Sequence, residues 1–200
     1  MVPRAFGGPQ PLPLTVVLRH GAALLYQGQP GDGLWLLRSG AMRASTITTD
    51  GRDLTLDVLG PGDLVGEPAG IASLTTLRAL RRSRLRPVDQ GAAAELLARR
   101  AHRAAALAAE LAWLDVRERL MRRLEDLAAR FGSPSDDGTL ILLPFTQEDL
   151  AALAGTTRES VSRTIRSLER DGRIRVAARG RYVVRSGLRA IGGLAGDARP

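Results

Sequence analysis

The sequence predicts an α+β fold in which an N-terminal all-β module is followed by a long helix and a C-terminal unit of short helices closed by a hairpin. Three observations lead to this prediction. Turn-forming residues recur about every ten positions in the first half, a proline-free segment rich in Ala, Leu, Arg and Glu follows, and the last third holds two short helical patterns around a glycine. With 200 residues, 44% of them hydrophobic, the chain can bury the cores that such a fold requires.

The N-terminal module is expected to span residues 14–88, after a flexible, proline-rich tail over residues 1–13. Strands are expected between successive glycine-containing turns, and Asp50-Gly51 has the composition of a hairpin turn. The candidate strands are residues 14–18, 34–37, 41–48, 54–59 and 77–88. Short strands at this spacing are typical of a small barrel or roll.

Residues 89–114 are predicted to form one long helix, because they contain no proline and many strong helix formers. Apolar residues recur along this helix at intervals of seven, three and four. They are Leu97, Ala104, Leu107, Leu111 and Leu114. Because so narrow a stripe is typical of a helix that packs against a partner helix, it favours a homodimer. The alternative is that the stripe covers the β module.

Residues 115–200 are expected to form a second unit, a winged helix-turn-helix. Asp115 is a candidate cap for a helix over residues 116–130, and a short polar loop over residues 133–138 is expected to follow it. Thr146 and Asp149 have the spacing of a capping box at the start of a helix over Gln147–Ala154. Gly155 ends that helix at a tight turn.

The helix after Gly155 is predicted to be amphipathic, with Val161, Ile165 and Leu168 on its packing side. The opposite side carries Arg158, Glu159, Ser162 and Arg163. Arginine can donate to guanine O6 and N7, and glutamate can accept from cytosine N4. An acid on such a face opposes phosphate binding, so it indicates base reading rather than general adhesion to DNA. The alternative is that Glu159 caps the helix and that the arginines are ordinary solvated charges.

A hairpin over residues 174–176 and 182–184 is predicted to form a wing beside the DNA backbone. Its arginines are Arg173, Arg175, Arg179 and Arg181. Residues 144–200 contain 11 arginines against 6 acidic residues, whereas residues 87–143 contain 8 against 9. This distribution favours a polyanionic partner, double-stranded DNA, for the C-terminal unit.

The order of these parts resembles the bacterial transcription regulators of the cyclic-AMP receptor protein and fumarate-nitrate reduction regulator (CRP/FNR) family. The segments that carry the resemblance are GDGLWLLRSGAMRAS, GPGDLVGEPAG, AWLDVRERL and FTQEDLAALAGTTRESVSRTIRSLERDG. The last is the most specific, because Arg158, Glu159 and Arg163 reproduce the R-E-x-x-x-R arrangement of the family's recognition helix.

The resemblance implies a cyclic-nucleotide-type β-roll, which is a double-stranded β-helix, a long helix that forms a parallel dimer, and a winged helix that reads a palindromic site. It implies an activator that contacts RNA polymerase. Arg158 and Arg163 would read guanine-containing steps and Glu159 a cytosine, and Ser162 is predicted to read bases with them. Thr146, Gln147 and Thr157 would lie against phosphates, as would Arg175 and Arg179 of the wing.

The effector pocket implied by the resemblance is degenerate. Gly66 and Glu67 match the family, but Ser73 and Leu74 occupy the positions of an Arg-Ser pair whose arginine neutralises a cyclic phosphate. A buried phosphate without a counter-charge is costly. Cyclic AMP is therefore not expected to bind, and DNA binding without a cofactor is expected. The alternative is that a different small molecule in the β-roll gates the same regulator.

Other function classes find little support in the residues. The absence of cysteine excludes disulfides and thiolate metal sites, and the chain has only two histidines, His20 and His102. Metal-protease, phosphate-loop and nucleophile-elbow motifs are absent, so neither an enzyme nor a metal site is expected. No signal peptide and no apolar run of membrane length occurs, which predicts a cytoplasmic protein without a membrane partner.

Overall fold

The computed structural model describes residues 15–88, 93–177 and 180–185, and the chain divides into two compact units. The first comprises Met1–Asp115 with Ala152–Gly155, and the second comprises Val116–Ala151 with Thr156–Pro200. The predicted tail over residues 1–13 lies outside the described residues. None of the described helices is both long enough and apolar enough to cross a membrane.

The first unit contains eight antiparallel strands in two four-stranded sheets. The strands are β1 (Val16–Leu18), β2 (Ala23–Leu25), β3 (Gly33–Ser39), β4 (Met42–Ile47), β5 (Asp53–Leu59), β6 (Leu64–Glu67), β7 (Thr76–Ala79) and β8 (Ser83–Val88). Their order is β1-β8-β3-β6 in one sheet and β2-β7-β4-β5 in the other. Leu37 and Leu85 of the first sheet share one buried core with Met42, Leu59 and Leu77 of the second. This arrangement confirms the predicted β-roll.

Two strands of the roll were not predicted, and one predicted strand is divided. Strands β2 and β6 were missed, and the single strand expected over residues 77–88 is broken at residues 80–82 into β7 and β8. The break follows from a long-range contact. The buried Ser83 hydroxyl donates to the Ala41 carbonyl at 3.1 Å and accepts from the Ala41 amide at 3.2 Å. A turn stabilised in this way leaves no glycine or proline signal in the local sequence.

Helix α1 (Ala94–Trp113) lies within the range predicted for the long helix, of which residues 89–92 are outside the described part of the chain. Three members of the predicted dimer stripe, Ala104, Leu107 and Leu111, line a cavity of the β-roll. Leu107 is only 5% exposed, whereas Leu97 is 38% exposed. These three residues therefore face the β module, as the alternative expected, and the assignment of the stripe to a dimer stays a prediction.

The second unit combines two helices, the first five residues of a third (α3) and one antiparallel sheet. Its elements are α2 (Val116–Phe131), β9 (Gly132–Ser135), β10 (Gly138–Ile141), α3 (Gln147–Ala154), α4 (Arg158–Arg170), β11 (Ile174–Ala177) and β12 (Arg181–Val184). The sheet order is β11-β12-β10-β9. The polar loop predicted over residues 133–138 is instead part of the β9-β10 hairpin. Its Gly, Ser and Pro residues are poor strand formers, so pairing with the neighbouring strand overrides local preference.

Helix α2 contacts α4 and fixes its position. Leu120, Leu124 and Leu127 of α2 are each at most 2% exposed. Arg117 of α2 donates to the Ser167 hydroxyl at 2.6 Å and to the Asp171 carboxylate at 2.5 Å, both at the C-terminal end of α4. These contacts fix the orientation of α4 within its unit.

Candidate functional site

The first helix of the helix-turn-helix begins at the predicted capping box. The Thr146 amide donates to the Asp149 carboxylate at 2.8 Å, and the Asp149 amide donates to the Thr146 hydroxyl at 3.1 Å. This reciprocal pair satisfies amide groups that the first turn of a helix leaves free. Thr146 is exposed and Gln147 is half-buried, so both remain accessible for the phosphate contacts predicted for them.

The turn between α3 and α4 is short and locally specified. Gly155 has a φ of +61°, a conformation that residues with a β-carbon rarely adopt. Thr157 is extended and is the N-cap of α4, because its hydroxyl accepts from the Ser160 amide at 3.3 Å. Thr157, predicted to contact phosphate, is thus an exposed capping residue whose position sets where α4 begins.

Glu159 lies in the first turn of α4 and is exposed. Hydrogen bonds from its own backbone amide and from the Thr157 side chain hold the pKa of its carboxyl below the usual value, and Arg158 and Arg163 act in the same direction. The alternative in which Glu159 caps the helix is wrong, because the N-cap of α4 is Thr157; the Glu159 carboxylate in the first turn is still favoured by the helix dipole. It is charged and reachable from solvent, which a base-reading acceptor also requires.

The two sides of α4 differ as the sequence predicted. Val161, Ile165 and Leu168 are buried, with exposures of 0%, 5% and 1%. The polar side carries the exposed Arg158, Glu159 and Arg163, with Ser162 half-buried beside them. The structure therefore brings together all four residues predicted to read bases.

Sequence reasoning missed two further arginines on the same side of α4. Arg166 and Arg170 are exposed and lie three and seven residues beyond Arg163, so they share its helix face. That spacing is a signal that could have revealed them. Together with Arg163 they form a basic ridge along the helix.

Arg158 and Arg163 of α4 make exposed contacts at long distances. The Arg158 Nε lies 3.2 Å from a Glu148 carboxylate oxygen, and both side chains are 63% exposed. Arg163 donates to the Ser160 hydroxyl at 3.3 Å. Exposed contacts of this kind are weak and are screened by salt. Both guanidinium groups can therefore turn towards a DNA ligand at little cost.

An acidic side chain, Asp137, offsets part of the positive charge of the wing. Arg175 donates two hydrogen bonds to Asp137, at 2.8 and 3.0 Å, and Arg185 donates a third at 3.1 Å. Arg175 and Arg185 hold the pKa of the Asp137 carboxyl far below its usual range. A phosphate that approaches Arg175 therefore also approaches the negative charge of Asp137. Arg179, the other predicted wing contact, lies outside the described residues, whereas Arg181 is exposed.

A second candidate site is a cavity of about 670 Å³ in the first unit, enclosed by the β-roll and α1. Of the residues predicted at the effector pocket, Glu67 and Leu74 line this cavity. Gly66 contributes its carbonyl, which accepts from Arg100 at 3.0 Å. Ser73 is buried, and its hydroxyl donates to the Thr75 carbonyl at 2.8 Å, so it serves the loop itself.

Two arginines of α1, Arg100 and Arg103, also line the cavity, although sequence reasoning placed no cation there. Arg100 lies 2.5 Å from the Glu67 carboxylate. Arg103 lies 2.8 Å from Asp57 and 2.8 Å from Asp63. The prediction of a pocket without positive charge is therefore corrected: the charge is present, supplied by the helix rather than the loop, and carboxylates already neutralise it.

Comparison with known proteins finds two family models, which match different parts of the chain. Residues 15–100 match the family model of the cyclic nucleotide-binding domain, and residues 118–191 match that of the Crp-like helix-turn-helix domain. A cyclic AMP receptor protein of Thermus thermophilus is 33% identical over 78% of this chain and 77% of its own. A CRP-like cAMP-activated global transcriptional regulator of Mycobacterium tuberculosis is 29% identical over 78% of each chain.

A solved structure of the same family also matches this chain. The crystal structure of a CRP/FNR-family transcriptional regulator from Thermus thermophilus matches 86% of this chain and 93% of its own, with a TM-score of 0.77 and 27% sequence identity. These relatives are DNA-binding transcription regulators and not enzymes. With both family models matched, and with an exposed arginine-rich face on the second helix of its helix-turn-helix, this chain belongs to the CRP/FNR family of transcription regulators.

Proposed function

We propose that this protein is a homodimeric, cytoplasmic regulator that binds a palindromic promoter site, reads its bases with α4 and needs no cyclic AMP to do so. The observation that carries the proposal is the exposed side of α4, where Arg158, Glu159 and Arg163 stand on a helix fixed by the buried residues of its other side. Arginine and glutamate at adjacent positions can recognise guanine and cytosine in neighbouring base pairs.

The proposed dimer uses an exposed side of α1 that flanks the side lining the cavity. Alanines recur there at intervals of four, three, four and seven residues, and all are exposed. They are Ala94, Ala98, Ala101, Ala105 and Ala112. Small residues at heptad spacing allow two helices to approach closely, which supports a second copy of the chain as the partner of this face. Two copies of α4 related by a two-fold axis would meet half-sites about one DNA turn, ~34 Å, apart.

Independence from cyclic AMP is supported by the pairing inside the cavity. Glu67 and Arg100 neutralise each other, and Arg103 is held between two carboxylates. A cyclic phosphate would have to displace one of these acids and leave it partly buried without a cation. Activation of transcription through contact with RNA polymerase completes the proposal and rests on family membership.

A ligand-gated form of the same regulator is the second candidate. The cavity of about 670 Å³ favours it, because a space of this size at the junction of sheet and helix can hold a small molecule. In this form a ligand other than cyclic AMP alters DNA affinity.

Selection of DNA from a random pool tests the proposal. Purified protein without any nucleotide is expected to enrich a palindrome whose half-sites contain G·C pairs. The Arg163→Ala protein should lose preference at one position of each half-site. Arg122→Ala, which removes an exposed arginine of α2, is the matched control and should select the wild-type sequence. Enrichment of no sequence, or of a sequence without symmetry, would contradict the proposal.

A further inference from the structure

The walls of the cavity in the first unit are predominantly aliphatic. Strands β5 and β6 and helix α1 contribute leucine, valine and alanine side chains, and the β6-β7 connection adds Ile71 and Leu74. These two residues are 55% and 79% exposed. Exposed apolar side chains around the rim of a cavity are typical of a ligand site, because water contacts them unfavourably until a ligand covers them.

The charged groups of the cavity are already matched to one another. Arg100 binds both the Gly66 carbonyl and the Glu67 carboxylate, at 3.0 and 2.5 Å. Arg103 bridges Asp57 and Asp63. The guanidinium groups of both arginines are therefore already bonded to acceptors within the protein. Arg100 and Arg103 are the two cations among the residues that line the cavity.

The acids of these pairs are well shielded from solvent. The exposed fractions of the Glu67, Asp57 and Asp63 side chains are 14%, 17% and 13%. An anionic ligand that takes an arginine from one of them adds its own negative charge beside a carboxylate that has lost its partner. Because the acids are only 13–17% exposed and bulk water therefore solvates them poorly, the exchange is unfavourable. An uncharged ligand leaves every pair intact and gains only from apolar contact.

We infer that this cavity binds an uncharged, predominantly apolar small molecule, held by the aliphatic walls and by the Ile71-Leu74 rim, and that it discriminates against anions. The inference rests on the proposed ligand-gated regulator, and it names the chemical class of the ligand. The ion pairs act as a selectivity element, since they exclude anionic ligands while they join α1 to the strands.

A fluorescent probe tests this directly. N-phenyl-1-naphthylamine is uncharged and becomes brighter in apolar surroundings, so its titration into the full-length protein is expected to saturate at one molecule per chain. Octan-1-ol and octanoate then compete for the site. They share one alkyl chain and differ in charge, so octanoate should displace the probe about tenfold less effectively, or worse. Cyclic AMP should not displace it.

Two tryptophan variants show whether the probe is in the cavity. Ala104→Trp fills it from α1 and should abolish saturable binding, whereas Ala106→Trp, an exposed position of α1 outside the cavity wall, should retain it. Circular dichroism checks that both proteins fold. The Glu67→Gln/Arg100→Gln protein, which lacks one ion pair, should keep its affinity for the probe and lose part of its discrimination against octanoate.

The inference is overturned if the probe does not saturate, if Ala104→Trp retains it, or if octanoate or cyclic AMP displaces it as well as octan-1-ol does. A mobility-shift assay on the same wild-type preparation separates this failure from failure of the regulator itself. Selective DNA binding without probe binding rejects the ligand class alone. Probe binding without selective DNA binding rejects the proposed function alone.

Discussion

The polar side of α4 and the cavity beside α1 both contain arginines, but the neighbours of those arginines differ. On α4, Arg158 and Arg163 have exposed, loosely held partners at 3.2 and 3.3 Å. In the cavity, Arg100 and Arg103 are bound to shielded carboxylates at 2.5 to 2.8 Å. An arginine is readily available to an external anion where its partner within the protein is exposed and weakly held. The comparison thus separates a surface suited to DNA from a cavity unsuited to phosphate.

The largest expected effect comes from removing the weakly held arginines of α4, Arg158 and Arg163. Each bidentate contact to guanine is worth about 1–3 kcal/mol, so Arg158→Ala/Arg163→Ala should weaken binding to the selected site by about 30-fold or more. Fluorescence anisotropy with labelled DNA measures this loss. Binding to unrelated DNA should weaken far less. An equal loss on both DNAs would mean that α4 contributes charge and not base recognition.

Removing a bound arginine should change stability instead. Arg103→Met removes the cation shared by Asp57 and Asp63, and a hydrogen bond to a charged group contributes about 1.5–3 kcal/mol to the free energy of unfolding. Urea denaturation of the first unit should show this loss, while the sequence preference on DNA stays that of the wild type. A variant as stable as the wild type would show that the carboxylates do not depend on Arg103.

Arg175 of the wing is intermediate between the arginines of α4 and those of the cavity, because it is exposed and is also bonded to Asp137. Asp137→Asn removes the negative charge and frees Arg175 for a phosphate. We expect tighter binding to all DNA sequences and a log–log salt dependence steeper by about one unit. The Arg175→Ala/Asp137→Asn protein is the control, and it should show a smaller gain, because Asp137→Asn releases Arg185 as well as Arg175. If Asp137→Asn leaves the salt dependence unchanged, Arg175 does not contact phosphate.

The smallest effect is the pH dependence of the same pair. Because Arg175 and Arg185 lower the pKa of Asp137 in the folded protein, the unfolded state binds its proton more readily. The stabilisation is complete above the ordinary carboxyl pKa of 3.8 and is lost as the pH falls below it. The difference in thermal midpoint between the wild type and Asp137→Asn should therefore be constant near neutral pH and shrink in acid. A difference that grows in acid would contradict this assignment.

The sequence predicts best where the signals are local. Helix α3 occupies Gln147–Ala154 as predicted, because Thr146 and Asp149 cap its start and Gly155 turns the chain at its end. The sidedness of α4 follows from a simple 3.6-residue period.

The sequence predicts poorly where distant residues decide the outcome. The break between β7 and β8 depends on Ser83 binding Ala41, and β9 forms because β10 pairs with it. Leu107 and Leu111 fit a dimer stripe and a cavity wall equally well by spacing alone. Arg100 and Arg103 could be read from the sequence as helix charges, but only the fold shows that Glu67, Asp57 and Asp63 meet them.

The most direct test of the central claim is the affinity of the full-length protein for its selected palindrome, measured by anisotropy with and without saturating cyclic AMP. If Arg158 and Arg163 of α4 are only weakly held and the arginines of the cavity are already neutralised, the dissociation constant will be the same in both titrations. Selective binding that appears only when cyclic AMP is added would contradict the claim, because it would show that a phosphate can displace the carboxylates of the cavity.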